Sequence, residues 1–190
     1  MKIGLYFGSF NPIHIGHLLI ASFVANNTDV QQVWLIISPH NPLKNNSGLL
    51  NEYQRLHLVQ LAIEKDDAQI KASDIEFKLP RPSFTIDTLV YLQEKYPGNE
   101  FVIIMGSDSF QNIHRWKNPD ILLRKYEFFI YQRPGFEVEV NENVKMKILE
   151  APLLTISATE IRKNIKSGKS IRYMVPEQVR EEIERSRYYK

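Results

Sequence analysis

The sequence predicts an α/β protein: a doubly wound, Rossmann-like and mostly parallel sheet with helices on both faces. Three observations predict it. Short apolar runs without polar alternation, "KIGLYF" (2–7), "VWLIIS" (33–38) and "EFVIIMG" (100–106), read as strands covered on both faces, which favours parallel pairing. Segments of helical apolar period separate the strands, in the order β-α-β-α-β-α-β-α. Each run ends at a segment rich in Gly, Ser, His, Lys, Arg or Asp, and in open α/β sheets ligands bind beyond the carboxyl ends of the strands.

The elements follow in order. "HLLIASFVANN" (17–27) reads as the first helix. "NEYQRLHLVQLAIEKD" (51–66) is the second, with Leu56, Val59 and Ile63 on one stripe. "AQIKASDIEF" (68–77) is a weaker strand with a polar end. "TIDTLVYLQEKYPG" (85–98) lines Thr85, Leu89, Leu92 and Tyr96 along one helical stripe, and Pro97-Gly98 stops it. "PDILLRKY" (119–126) is a short helix, "EFFIYQRPG" (127–135) a strand and turn, and "VKMKILEAPLLTI" (144–156) holds one last short strand. "SATEIRKNIKSG" (157–168) is a helix opened by a Ser157–Glu160 capping box. "PEQVREEIERSRYY" (176–189) closes the chain, with Pro176 in its first turn. Residues 1–190 read as a single domain, with the helical segment 157–190 packed on it. The Pro- and Asn-rich stretch "PHNPLKNNSGLL" (39–50) reads as a surface loop.

With 190 residues, 43% of them hydrophobic, the chain is long enough to bury a substantial core. A formal net charge of +2 and the lack of a Lys/Arg run demand no nucleic-acid partner. There is no cysteine, hence no disulfide framework and no Cys-based zinc site. No apolar stretch approaches the roughly 20 residues that span a bilayer. The N-terminus enters a strand at once, leaving no room for a signal peptide. A cytoplasmic protein without a membrane partner is expected, and homo-oligomer formation is left open.

In "GSFNPIHIGH" (8–17), His14 and His17 stand three apart. A zinc pair is one reading, but it lacks a third ligand and the i, i+4 spacing around a Glu. Packing at a helix start is the second. Anion binding is the third: His17 falls in the first helical turn, where free N–H groups and the dipole attract phosphate. A His donor there adds a charge-assisted hydrogen bond, and Gly8 and Gly16 let the backbone come close. "ISATEIR" (156–162) offers a second such start. Alone it reads as a capped helix, yet Arg162 and the N–H groups ahead of it suit the β- and γ-phosphates of a nucleotide.

These two segments resemble the (T/H)xGH and ISSTxIR signatures of the nucleotidylyltransferase superfamily, with Ala158 where the second Ser is usual. "RPSFTIDTL" (81–89), "GSDSFQNIHRWKNPDILL" (106–123) and "YQRPG" (131–135) resemble segments of the bacterial nicotinate-nucleotide adenylyltransferases. Phe84 replaces the commoner Tyr, and Asn11 the commoner Asp. The resemblance runs from the N-terminus to Arg162. It implies adenylyl transfer from ATP to nicotinate mononucleotide, giving nicotinate adenine dinucleotide and pyrophosphate in NAD biosynthesis. It implies an ATP site of Gly8, Ser9, Phe10, His14, His17, Gly106, Asp108, Arg133, Ile156, Ser157 and Arg162. It implies a nicotinate-nucleotide site of Lys44, Thr85, Trp116 and Lys117. There Trp116 stacks on the pyridine ring, and the amides at Thr85 and Lys117 read its carboxylate.

His14, His17, Lys44 and Arg162 are expected to carry the chemistry. The phosphate of the mononucleotide is the nucleophile and is already ionised, so positioning and charge stabilisation suffice. With no carboxylate cage in the sequence, no protein-built metal site is expected, and Mg²⁺ arrives with ATP. The alternatives are another acceptor (nicotinamide mononucleotide, phosphopantetheine or, with CTP, a polyol phosphate) and a non-catalytic nucleotide-binding module.

Overall fold

The computed structural model describes residues 1–40, 48–63, 69–152 and 154–190. Six strands form one sheet: β1 (Lys2–Gly8), β2 (Gln32–Ile37), β3 (Ile70–Ser73), β4 (Glu100–Gly106), β5 (Glu127–Tyr131) and β6 (Met146–Leu149). Their order is β3-β2-β1-β4-β5-β6, and all five pairings are parallel. The order reverses between β1 and β4. That switch point opens a crevice beyond the carboxyl ends of the two strands.

The absence of polar alternation has a direct structural cause, because both faces of the sheet are buried. Alternate residues of each strand enter different cores. On one face Tyr6, Leu35, Ile104 and Phe129 pack with residues of α1 (Ile15–Asn27), α2 (Glu52–Ile63), α6 (Ala158–Lys166) and α7 (Glu177–Arg185). On the other, Leu5, Ile36, Ile103 and Phe128 pack with α3 (Thr85–Lys95) and α5 (Pro119–Lys125). Each such side chain contributes about 1.5–3 kcal/mol by leaving water. Ile161, Val179 and Ile183 join the first core, which seats the C-terminal helices on the sheet.

Several boundaries move. The first helix starts two residues earlier, at Ile15, with His14 as its N-cap. The segment 68–77 keeps strand geometry only over Ile70–Ser73, and a 3-10 turn follows at Ile75–Lys78. A short helix, α4 (Ser107–Gln111), follows β4 directly, where no helix was expected. The stripe expected on the second helix is rotated: Val59 is buried together with Leu58 and Arg55, while Leu56 and Ile63 are partly exposed. The cause is polar, since four backbone carbonyls draw Arg55 inward.

Candidate active site

β1 ends at Gly8 and β4 at Gly106, one on each side of the switch point. A Cβ on Gly8 would stand 2.8 Å from the Phe10 ring, so only glycine lets that ring fold back over the strand end. Phe10 adopts φ 44°, a left-handed conformation that costs a non-glycine residue about 1–2 kcal/mol. Its burial compensates: the ring meets His17 edge-on at 5.1 Å and Tyr6 at 5.9 Å.

His14 is the N-cap residue of α1, and His17 lies one turn on. Their rings stack at 3.6 Å. The His14 N–H donates to His17 Nδ1 at 3.3 Å, which leaves the His17 proton on Nε2. His14 is only 6% exposed, and its Nδ1 takes no hydrogen bond among the described residues. Burial, and then the nearby Arg133 charge, push its pKa down to about 4. The imidazole is therefore neutral at pH 7. One amide expected to be free is occupied, because Ile15 N–H donates to the Met174 carbonyl at 3.0 Å.

The second motif reaches the same crevice. Ser157 caps α6, its hydroxyl accepting from the Glu160 N–H at 3.2 Å, and Ala158 supplies the first helical residue. Arg162, one turn on, donates to the Asn11 carbonyl at 2.7 Å. Ile156 packs against the first core, just ahead of the cap. Asn11 is itself buried. Its Nδ2 donates to the Gly48 carbonyl at 2.9 Å and its Oδ1 accepts from the Leu50 N–H at 3.1 Å. The substitution of Asn for the usual Asp thus has a structural use, since the amide both donates and accepts here whereas an ionised carboxylate only accepts.

On the β4 side, Asp108 and Arg133 pair at 3.3 Å directly over Gly106. The Ser107 hydroxyl accepts from the Arg133 N–H at 2.8 Å. Arg133 also reaches the Tyr131 hydroxyl at 3.4 Å, which meets the Tyr6 hydroxyl at 3.0 Å. This chain of contacts, buried at its two tyrosines, joins the Asp108–Arg133 pair to the ring that supports His17. Burial raises the Tyr6 pKa well above its ordinary value, so the phenol stays protonated.

Of the residues expected at the pyridine, Thr85 and Lys117 are brought near each other through Asp87 and Phe84. Thr85 opens α3, where the first N–H groups have no preceding helical carbonyl. Trp116 is half-buried against the second core. Lys117 bonds both oxygens of Asp87, at 2.8 and 2.9 Å, and lies 5.0 Å over the Phe84 ring. That pairing offsets the first-turn carboxylate that would repel an anion. Lys44 lies outside the described residues. Among the described residues no group of three His, Cys, Asp or Glu side chains comes close enough to hold a metal ion.

Sequence reasoning missed Arg55 and Glu76. Glu76 is buried and accepts from Ser83 at 2.9 Å and Thr88 at 2.8 Å, which braces the start of α3. Burial raises its pKa, against the opposing pull of those hydroxyls and of Ser38. The signal for Arg55 was its spacing, three and four residues before Leu58 and Val59 on one helical face.

Residues 5–164 match the cytidylyltransferase-like family. The chain is 49% identical to a probable nicotinate-nucleotide adenylyltransferase of Flavobacterium psychrophilum, over the full length of both. It is 48% identical to the namesake of Flavobacterium johnsoniae, again over both full lengths. Among solved structures, Plasmodium falciparum nicotinic acid mononucleotide adenylyltransferase complexed with NaAD superposes with a TM-score of 0.82 at 21% identity. That superposition covers 99% of this chain and 97% of the other, and shows the fold.

Proposed function

This chain belongs to the cytidylyltransferase-like family, among its nicotinate-nucleotide adenylyltransferases, and from that premise we propose its reaction. It transfers the adenylyl group of ATP to nicotinate mononucleotide, giving nicotinate adenine dinucleotide and pyrophosphate for NAD biosynthesis. One observation carries the reading: Arg162, in the second turn of α6, donates to the carbonyl of Asn11, in the segment between β1 and α1 beyond the carboxyl end of β1. A helix start and an arginine brought to one place suit a polyanion such as a triphosphate.

The mononucleotide phosphate, ionised at pH 7, attacks the α-phosphorus of ATP. A new P–O bond forms as the bond to the β-phosphate breaks, and pyrophosphate leaves with the electron pair. No protein base is required. His17 Nε2–H, His14, Lys44 and Arg162 hold the phosphates, and Arg133 adds positive charge from the β4 side. His14 enters as a neutral imidazole, and a phosphate beside it raises its pKa. Gly8, Ser9, Phe10, Gly106, Ile156 and Ser157 shape the ATP side, with Asp108 toward the ribose. Trp116 stacks on the pyridinium, and the amides at Thr85 and Lys117 receive its carboxylate. Mg²⁺ arriving with ATP would neutralise part of the triphosphate charge, leaving His14, His17, Lys44 and Arg162 to meet the rest. No described helix is long and apolar enough to cross a membrane. The C-terminal helices pack on the same sheet, and we treat residues 1–190 as one catalytic unit.

The test is product identity. Purified protein with ATP, Mg²⁺ and nicotinate mononucleotide should yield nicotinate adenine dinucleotide and pyrophosphate in equal amounts by mass spectrometry. Release of pyrophosphate without that dinucleotide contradicts the reading.

A further inference from the structure

Arg55 heads the fully buried side chains by size, yet neither site motif contains it. α2 turns it inward on the stripe it shares with Leu58 and Val59. Nε donates to the Leu50 carbonyl at 2.8 Å. Nη1 donates to the Ser9 carbonyl at 2.5 Å and to the Ser38 carbonyl at 2.9 Å. Nη2 donates to the Pro39 carbonyl at 3.0 Å. The four acceptors come from three segments: one following β1, one following β2, and one leading into α2. Leu50 is held twice, because its N–H also donates to Asn11. Through Asn11 the set of bonds continues to Arg162.

Among the described residues Arg55 hydrogen-bonds only carbonyls, and the Glu52 carboxylate acts on it from beyond ion-pair distance. A guanidinium buried without a paired carboxylate is a costly arrangement. It stands at the carboxyl edge of the sheet, beside the crevice assigned above to the triphosphate. We infer that Arg55 is a positioning residue for adenylyl transfer: its planar fork locks the segments after β1 and β2 together and fixes the shape of the phosphate-binding crevice. The inference rests on the reading that a nucleotide binds in that crevice.

Lysine separates the fork from the charge. Its three N–H groups diverge from one atom and cannot serve carbonyls spread around the rim of a guanidinium. Arg55→Lys keeps the cation and most of the volume. The expected result is a fall in kcat of roughly 10-fold or more per folded molecule, because small misplacements of reacting groups are felt in the transition state. The KM for ATP, and the Kd of a non-hydrolysable ATP analogue, should stay within about 3-fold, since charge and crevice remain. A lowered melting temperature with unchanged kcat for the folded fraction overturns the inference. Weakened analogue binding with unchanged kcat overturns it too, because charge and not geometry would then be the contribution.

Should the variant fail to fold, the ¹⁵N-labelled wild-type protein decides. The Arg55 Nε–H should exchange with solvent at least about 100-fold more slowly than that of exposed Arg172, and should shift when the ATP analogue is added. Exchange as fast as at Arg172 overturns the inference. If the wild type rejects nicotinate mononucleotide, the proposed function fails by itself. The Arg55→Lys comparison then runs on whichever phosphate acceptor is turned over, and the exchange measurement needs no acceptor.

Discussion

Arg162 Nη1 donates to the carbonyl of Asn11 at 2.7 Å, across 151 residues of sequence. One bond thus joins the two motif segments at the crevice. Arg162→Lys should lower kcat/KM about 100-fold, the scale of losing one preorganised transition-state donor. Steady-state pyrophosphate release measures it. The melting temperature, measured alongside, separates a lost phosphate donor from a loosened fold, because Arg162 is half-buried and also donates to the Thr159 hydroxyl at 3.3 Å. A loss of under about 3-fold removes Arg162 from the phosphate site.

His14 should couple stability to pH. Its folded pKa of about 4 lies below the ordinary value of 6.5, so the folded state binds fewer protons than the unfolded state between those values. Stability from keeping this group neutral is present above pH 6.5 and is lost as the pH falls toward 4, by about 3 kcal/mol in all. Urea titrations of wild type and His14→Gln should diverge across that window, with the wild type falling faster. Parallel curves contradict the burial of His14.

Gly8→Ala should be destabilising by about 1–3 kcal/mol, the cost of overpacking a well-filled core. The new methyl meets the Phe10 ring, and that ring is already held by Tyr6 and His17. Chemical denaturation measures the loss. Activity should fall as well, because the displaced ring supports His17.

Asn11→Asp removes the donor to the Gly48 carbonyl and buries a charge against it. A cost of about 1–3 kcal/mol is expected at pH 7. The new carboxyl should have a raised pKa, so the deficit shrinks as the pH falls and the protonated acid donates again. Stability measured at pH 7 and pH 4.5 checks the sign. A deficit that grows on acidification contradicts the assigned bond.

Lys117→Ala should raise the KM for nicotinate mononucleotide several-fold more than that for nicotinamide mononucleotide. Without Lys117, the Asp87 carboxylate faces the α3 start uncompensated and repels an acid more than an amide. Equal effects on both acceptors place the pyridine carboxylate elsewhere.

The sheet was legible because doubly covered strands leave an unmistakable pattern: Leu5 and Tyr6, or Ile103 and Ile104, are neighbours that enter opposite cores. Ser157 was legible as a cap because the capping interaction is local in sequence. Arg55 was not. A helical arginine reads as solvated, and its partners Ser9 and Ser38 lie far off in sequence. The Tyr6–Tyr131 contact escaped for the same reason, since it crosses β4 over a residue without a side chain. The short helix at 107–111 has too few residues for a period to show. His17 read correctly as part of a helix start, but the neutrality of His14 follows only from burial beneath its neighbours.

The acceptor defines the reaction. The most direct measurement is kcat/KM with ATP and Mg²⁺ for nicotinate mononucleotide, nicotinamide mononucleotide and phosphopantetheine, read as pyrophosphate release by one preparation. Nicotinate mononucleotide should give the highest value and phosphopantetheine none above background. Turnover of phosphopantetheine with nicotinate mononucleotide inert would overturn the proposed reaction.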